Sequence, residues 1–297
     1  MHSSGRWPNR VFAASAPAQR KRGWKSLHGQ RSARERAESM GEVASGILSA
    51  TGLEALTLLY GLAAVLAGAY LKGYTGFGAS MFWMTSLSLA LPPLQVVPMV
   101  LMFEVVTSVT LLPQIWRDVR WRSIALLLLG TWAATPVGIH VLTRLPAAPV
   151  RIALAITVLV AAVLILRGFA LSKEPGRTAT VGVGLMAGVL NGSMGIVGPP
   201  AILFYFSSPI GVAAGRASII AYFIGTDSVG AAMFAAQGLI DASVLWRTAV
   251  FLPVLVAGVV AGNRGFVRTD PESFKRTAIF VLMALSVLLG VRAAWPA

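Results

Sequence analysis

Long apolar stretches are the feature that most constrains how this chain can fold. From residue 54 onward they follow one another with few charged interruptions, and 56% of the 297 residues are hydrophobic while 12% are charged. A helix needs roughly 20 residues to cross a bilayer, so these stretches are enough for about eight spans. No soluble core needs that much apolar sequence. The sequence therefore predicts an all-α integral membrane protein with about eight transmembrane helices.

Two glycine-rich breaks interrupt the apolar stretches. The first covers residues 73–80 (Gly-Tyr-Thr-Gly-Phe-Gly-Ala-Ser) and the second covers residues 192–200 (Gly-Ser-Met-Gly-Ile-Val-Gly-Pro-Pro). Glycine allows a positive φ and a close approach to a ligand, whereas proline stops a continuous helix. Unwound backbone inside a bilayer persists only where protein or a water-filled cavity satisfies its polar groups. We therefore predict that the two breaks together form a transport site.

The landmarks of the first half of the chain recur in the second half. Each half has a glycine-broken apolar helix, a short piece ended by proline, a span, a loop with an Asp and a Trp-Arg pair, and two further spans. Gly76 and Gly195 lie 119 residues apart, and Trp121 and Trp246 lie 125 apart. This pattern predicts two repeated four-helix halves, each opening with a glycine-broken helix.

The predicted boundaries follow from this repeat. The first membrane repeat covers residues 53–167, a polar linker covers 168–177, and the second repeat covers 178–292. The repeats are parallel or inverted depending on whether each break crosses the membrane or returns to its own side, and the sequence leaves this open. The positive-inside rule favours both termini in the cytoplasm, although it then leaves the basic loop at 264–276 outside.

Residues 1–42 are predicted to be a disordered basic tail. Residues 1–39 hold nine Lys or Arg against two Glu, so they contribute +7 of the formal charge of +14. The tail lacks an apolar run and is therefore not a secretory signal peptide. A cytoplasmic anchor, an organellar transit peptide and a translation start at Met40 are the other interpretations. Because half of the positive charge lies in this tail, we expect no nucleic-acid partner.

Residue types that are absent or scarce exclude several kinds of chemistry. The chain has no cysteine, which excludes disulfides, thiolate metal sites and cysteine nucleophiles. Its three histidines make a histidine metal cluster improbable. Neither His-Glu-x-x-His nor Gly-x-Ser-x-Gly occurs in the sequence. We therefore expect neither an enzyme nor a bound metal or other cofactor.

Two acidic residues lie in the middle of predicted spans, and the spans correspond in the two halves. Glu104 is followed at helical spacing by Thr107 and Ser108, and Asp227 is followed by Gly230, so each acid faces a polar or small-residue side of its helix. A charged carboxylate at mid-bilayer costs on the order of 3 kcal/mol, so such residues are usually functional. We predict that Glu104 or Asp227 carries a coupling proton; the alternative is purely structural pairing between helices.

Polar groups near the breaks predict a binding site for an anion. Arg216 and Lys72 can each supply positive charge. The alternative for both is extension of the side chain to the membrane interface, which is the expectation for Lys72. Helix starts at the breaks add partial positive charge and free N–H donors. The predicted substrate-binding residues are the glycines and hydrogen-bonding side chains of the breaks together with Arg216: Thr75, Gly76, Gly78, Ser80, Asn191, Ser193, Gly195, Gly198 and Arg216.

The ordered set of landmarks resembles the sulfite exporter TauE/SafE family of membrane permeases over residues 55–292. The resemblance depends on the repeated glycine break and on the loops at residues 118–122 and 241–247, each followed by two spans. The breaks read Gly-Phe-Gly-Ala and Gly-Ile-Val-Gly-Pro-Pro in place of the run of three glycines usual in the family. The resemblance implies secondary transport of small sulfur-containing anions, without ATP, in a multi-pass protein of the bacterial inner membrane.

Three other functions stay open at the level of sequence. The two membrane acids could bind sodium or a metal ion in a cation transporter, or could act catalytically in an intramembrane enzyme. A structural subunit would tolerate substitution of both acids and both breaks. The expected partners are the lipid bilayer, a small anionic substrate and, as a candidate, protons; the sequence does not give the oligomeric state.

Overall fold

A computed structural model provides the fold. It describes residues 39, 41–43, 45–167, 176–197, 200, 201, 204, 205 and 212–266, and residues 280, 283, 284, 287, 290, 291 and 294. The chain divides into two compact units, residues 1–49 and 50–297. In the first unit the described residues, from Ser39 onward, are helical. The predicted basic tail lies mostly outside the described residues, and its disorder stays a prediction.

The described residues of the second unit form eight helices with continuous bounds, and they contain no strand. A single turn of 3₁₀-helix, Trp116–Asp118, follows the third of them. The helices are α1 (Ala55–Thr75), α2 (Ala79–Ala90), α3 (Pro93–Ile115), α4 (Trp121–Arg144), α5 (Ala147–Leu166), α6 (Arg177–Met194), α7 (Val212–Ala236) and α8 (Ala242–Phe266).

The prediction of an all-α membrane protein is confirmed at the level of class. Among the described residues, five helices (α1, α3, α4, α7 and α8) are long and apolar enough to cross a bilayer. The qualifying apolar part of α5 is shorter, Ala147–Val160. The last predicted span, at 277–291, lies largely outside the described residues. The count of eight spans and their grouping into two repeats therefore stay predictions.

Both glycine breaks end a helix, as the sequence predicted. α1 closes at Gly76, where φ is 84°, and the Gly76 N–H donates to the Lys72 carbonyl. α6 closes at Gly195, where φ is 61°, and the Gly195 N–H donates to the Asn191 carbonyl. Gly78, with φ of 83°, is the N-cap of α2, which begins inside the first break. These left-handed conformations suit glycine because it has no Cβ to clash.

Two helix pairs are packed with their backbones nearly in contact. α4 lies along α6, and α1 lies along α8. A Cβ placed on Gly188 or Gly192 of α6 would overlap a carbonyl oxygen of α4, and one on Gly262 of α8 would overlap the Tyr70 carbonyl of α1. Small residues at four-residue spacing allow this approach, which is how helices associate in lipid without a hydrophobic driving force between them.

The remaining long helices, α3 and α7, pack against each other and link the two pairs. α3 also contacts α8, and α7 also contacts α4. Aromatic side chains fill the space beside α3: Trp83 meets Phe103 edge-on at 5.4 Å between ring centroids, and Phe103 meets Phe251 at 6.1 Å. Because α1 lies along α8 and α6 lies along α4, the packed core contains helices from both halves of the chain.

Candidate functional site

The centre of the site is a buried ion pair between Lys72 of α1 and Glu104 of α3. The Lys72 Nζ donates to Glu104 Oε2, and the two side chains are 0% and 1% exposed. The expectation that Lys72 extends to the membrane interface is therefore wrong. A carboxylate on the facing helix offers the ammonium a partner inside the protein, and the long side chain reaches it without crossing to water.

The surroundings of this pair satisfy both charges. The Phe223 ring lies 4.0 Å from the Lys72 Nζ, in a cation–π contact. On the other side, the Ser80 N–H donates to Glu104 Oε1 at 3.1 Å. Ser80 lies in the first turn of α2, so the positive end of that helix binds the protein's own carboxylate. The hydroxyl of Ser80 is buried and makes no hydrogen bond to any described residue.

Asp227 of α7 is the second buried acid of the site. Its side chain is fully buried, and its electrostatic neighbours are Glu104 and Lys72. The Thr226 hydroxyl donates to Asp227 Oδ1 at 3.3 Å, whereas Oδ2 has no hydrogen-bond partner among the described residues. The two acids predicted to carry coupling therefore lie in one electrostatic cluster with Lys72. An incompletely satisfied carboxylate in this position can bind a proton or a small cation.

Arg216 reaches from α7 to the first break. Its Nη2 donates to the Gly73 carbonyl at 2.9 Å, and a Cβ on Gly76 would lie 2.7 Å from the Arg216 Cγ. The guanidinium also acts electrostatically on Lys72. The structure thus brings Gly76, Ser80, Glu104 and Arg216 together, although Arg216 comes from the other half of the chain.

The second break is surrounded by different residues. A Cβ on Gly195 would meet Met84 and Val97 at 3.5 Å. Asn191, one turn earlier, donates from Nδ2 to the Thr226 carbonyl at 3.4 Å, beside Asp227. The Asn191 Oδ1 has no hydrogen-bond partner in the part of the chain that the structure describes. Gly198, predicted as a site residue, lies outside the described residues.

Two predicted hydrogen-bond donors are engaged with their own backbone. The Thr75 hydroxyl donates to the Leu71 carbonyl at 2.8 Å and also lies within hydrogen-bonding distance of Phe77. The Ser193 hydroxyl donates to the Val189 carbonyl, one turn back along α6, at 2.6 Å. Both hydroxyls therefore stabilise the ends of their own helices in this structure.

Sequence reasoning missed several members of the site. Phe223 gave no signal, because one more aromatic residue in an apolar span is expected in any membrane helix. Asn263, whose Oδ1 accepts from Arg216, and Gln114, whose Oε1 accepts from Asn263, lie near helix ends where polar residues are ordinary. The sequence did contain a signal for Lys72. Lys72 and Asn191 lie 119 residues apart, the same separation as Gly76 and Gly195, so they occupy corresponding positions before the two breaks. Among the described residues no group of three or more His, Cys, Asp and Glu could hold a metal.

Comparison with known proteins places this sequence in a family. The model of the family described as sulfite exporter TauE/SafE matches residues 60–289. The chain is 31% identical over 255 residues to a protein of Cupriavidus necator named "Probable sulfite/organosulfonate exporter TauE", a match that covers 82% of this chain and 98% of the relative. No solved structure matches the chain significantly. The chain therefore belongs to the sulfite exporter TauE/SafE family, whose members are membrane transporters and not enzymes.

Proposed function

We propose that this protein is a secondary-active permease, working without ATP, for small sulfur-containing anions such as sulfite and organosulfonates. The name of the Cupriavidus necator relative supports this class of substrate. We further propose that the protein lies in a bacterial inner membrane and consists of two repeated halves. The reciprocal packing of α1 on α8 and of α4 on α6 supports the repeat, because corresponding helices have corresponding partners.

The observation that carries the proposal is the charge balance of the buried cluster. Two cationic side chains, Lys72 and Arg216, accompany two acids, Glu104 and Asp227, beside the first glycine break. A monovalent oxyanion entering this cluster adds one uncompensated negative charge in a medium of low dielectric, where charges interact strongly. The anion is accommodated most easily if one carboxylate accepts a proton at the same time.

Asp227 is the acid best placed to accept that proton. Glu104 is held by Lys72 and by the Ser80 N–H, whereas Asp227 Oδ2 has no hydrogen-bond partner among the described residues. Protonation of Asp227 would leave the cluster with one net positive charge, which attracts an anion. Export driven by an inside-negative potential gains about 2.3 kcal/mol per charge per 100 mV and needs no proton, whereas concentrative uptake of an anion requires one.

The test is transport by the purified protein in liposomes. Uptake and exchange of radiolabelled sulfite, thiosulfate, sulfoacetate and taurine would be measured with a pH gradient present or absent. We expect saturable flux of at least one of these anions and acceleration of its uptake by an inward proton gradient. Absence of flux with folded protein would contradict the proposal. If a cation stimulated transport and the sulfur anions had no effect on it, the protein would instead be a cation transporter using Glu104 and Asp227.

A further inference from the structure

A chain of polar side chains connects the first glycine break to the surface of the protein. Arg216 is 9% exposed and donates from Nη2 to the Gly73 carbonyl at 2.9 Å and to Asn263 Oδ1 at 3.5 Å. Asn263 of α8 is half-buried, and its Nδ2 donates to Gln114 Oε1 at 2.6 Å. Gln114 of α3 is exposed. Exposure therefore rises stepwise along this chain from the break to the surface.

An open groove lies at the outer end of this chain. It has a volume of about 840 Å³ and is lined by the last turns of α3 and the 3₁₀ turn that follows, including Gln114, Arg117 and Asp118. Exposed charged side chains and the exposed Trp116 place this corner at the membrane–water interface. The corner is tied to α7, since the Arg120 N–H donates to Ser218 Oγ at 3.0 Å, two residues beyond Arg216.

We propose that this groove is the aqueous vestibule of the transport path and that the Gln114–Asn263 pair is its gate. This inference rests on the proposed function, because it assumes that an anion must reach Arg216. While the Asn263 Nδ2 donates to Gln114 Oε1, that N–H is not available to an oxyanion, and the pair closes the path from the groove to Arg216. When the pair separates, both side-chain amides can donate to an oxyanion passing between them.

The absence of cysteine from the chain makes the path directly testable by thiol labelling. Ile220→Cys is a suitable reporter, since Ile220 is fully buried and its Cδ1 would lie 3.2 Å from a Cβ on Gly76. The probe is 2-sulfonatoethyl methanethiosulfonate, a membrane-impermeant sulfonate. Ethanesulfonate serves as competitor, because sulfite would itself consume the reagent.

We expect Gln114→Ala to raise the labelling rate of Ile220→Cys about two- to tenfold, the factor corresponding to one lost hydrogen bond. Ethanesulfonate should slow the labelling in both backgrounds. The matched control is Thr110→Ala, one turn earlier on α3, where the hydroxyl donates only to the Val106 carbonyl of its own helix. This control should leave the labelling rate unchanged.

Gln114→Glu supplies a second readout. A glutamate can still accept the Asn263 hydrogen bond, so the gate is kept while a negative charge is added to the path. It should slow labelling by the anionic reagent and speed labelling by the cationic trimethylammonium analogue. Equal labelling rates in all backgrounds, or no labelling in any, would overturn the gate. Absence of sulfur-anion flux in the wild-type protein would instead reject the proposed function. Failure of the gate and failure of the proposed function are therefore distinguishable.

Discussion

Lys72 and Glu104 depend on each other because neither has access to water. The pair is supported on one side by Phe223 and on the other by the Ser80 N–H. A buried ion pair seldom adds net stability over an apolar pair of the same shape, but removal of one partner leaves an uncompensated buried charge. Because such a pair adds little net stability, we expect the role of this one at the glycine break to be functional.

Lys72→Met is expected to destabilise the protein by about 3–5 kcal/mol, because Glu104 would remain buried without its partner. Lys72→Met with Glu104→Gln should recover most of this loss, since the amide can still accept from the Ser80 N–H and position 104 no longer carries a buried charge. Thermal unfolding in detergent would measure both. Transport should be lost in the double variant, which separates the functional role from the structural one. Equal stability of the single and the double variant would contradict the dependence of Glu104 on Lys72.

Asp227→Asn should abolish concentrative uptake while sparing downhill anion exchange, because the amide cannot bind the coupling proton. The matched control is Asp241→Asn, which makes the same change at an exposed acid before α8. The measurement is accumulation of the transported anion in liposomes with an inward proton gradient. Unchanged accumulation against a gradient would remove Asp227 from the coupling step.

Individual residues of the site differed in how far the sequence could predict them. Glu104 and Asp227 were identifiable because an acid in the middle of an apolar span is costly and is usually functional. Lys72 was placed wrongly, since a lysine next to a glycine break can equally reach the interface, and only the fold supplies its carboxylate. Thr75 and Ser193 have the chemistry of anion ligands, but their hydroxyls bond to nearby backbone, a local competition that sequence does not resolve.

At the level of helices, the close contact of α4 with α6 requires small residues where the two helices meet. A Cβ on Gly188 would overlap the Thr131 carbonyl of α4. We expect Gly188→Ala to lower stability by about 1–3 kcal/mol, the usual cost of forcing extra atoms into a packed interface. Gly182→Ala on the same helix meets no atom within 4 Å and should be neutral or stabilising by up to about 1 kcal/mol. Thermal unfolding would compare the stabilities of the two variants. Similar losses of stability in both would contradict the close contact between α4 and α6.

Asp241 begins α8 with a side-chain cap. Its Oδ1 accepts from the Val244 N–H and from the Ser243 hydroxyl, both at 2.8 Å. The Val244 hydrogen bond, followed by that of Ser243, holds the pKa of Asp241 below its ordinary value. A carboxylate with a depressed folded-state pKa stabilises the protein above its unfolded pKa of about 3.9, and this contribution is lost as the pH falls through the folded pKa.

Asp241→Ala should therefore cost about 1 kcal/mol near neutral pH, the typical value of an N-cap. The difference from wild type should begin to shrink as the pH falls below about 3.9, where the unfolded chain binds a proton at this position. It should be lost once the pH is also below the folded-state pKa, because the carboxyl is then protonated in the folded protein as well. Asp241→Asn should differ little from wild type near neutral pH, since asparagine also caps well. Unfolding midpoints measured across this pH range would test the sign. A difference between wild type and Asp241→Ala that grows toward low pH would contradict it.

The helices themselves were largely predictable, but their partners were not. The mostly apolar stretch that follows Pro92 forms α3 (Pro93–Ile115), because proline suits the first position of a helix and marks its start. The prediction that both breaks end helices is confirmed, since glycine at a helix end suits a left-handed residue. That α1 would lie against α8, and α6 against α4, has no local signal, because small residues face many possible neighbours in lipid.

The whole membrane unit is organised so that neither half can complete its own packing. α1 from the first half lies along α8 from the second, and α6 from the second lies along α4 from the first. Arg216 of α7 likewise completes the surroundings of the break that ends α1. This exchange of partners places the candidate site between the halves. Relative motion of the halves would therefore alter the site directly, as alternating access requires.

A chain cut between Leu171 and Ser172, in the predicted linker, is expected to assemble only from both fragments. Each fragment alone lacks the partner of two helices, so it should aggregate or be degraded, whereas co-expressed fragments should copurify and recover transport. Gly262→Leu in the second fragment should prevent copurification, because its side chain would overlap the Tyr70 carbonyl of α1. Gly182→Leu in the same fragment, where a Cβ meets no atom within 4 Å, is the matched control and should assemble. A first fragment that purifies alone as a folded, monodisperse species would contradict the exchange of helices between the halves.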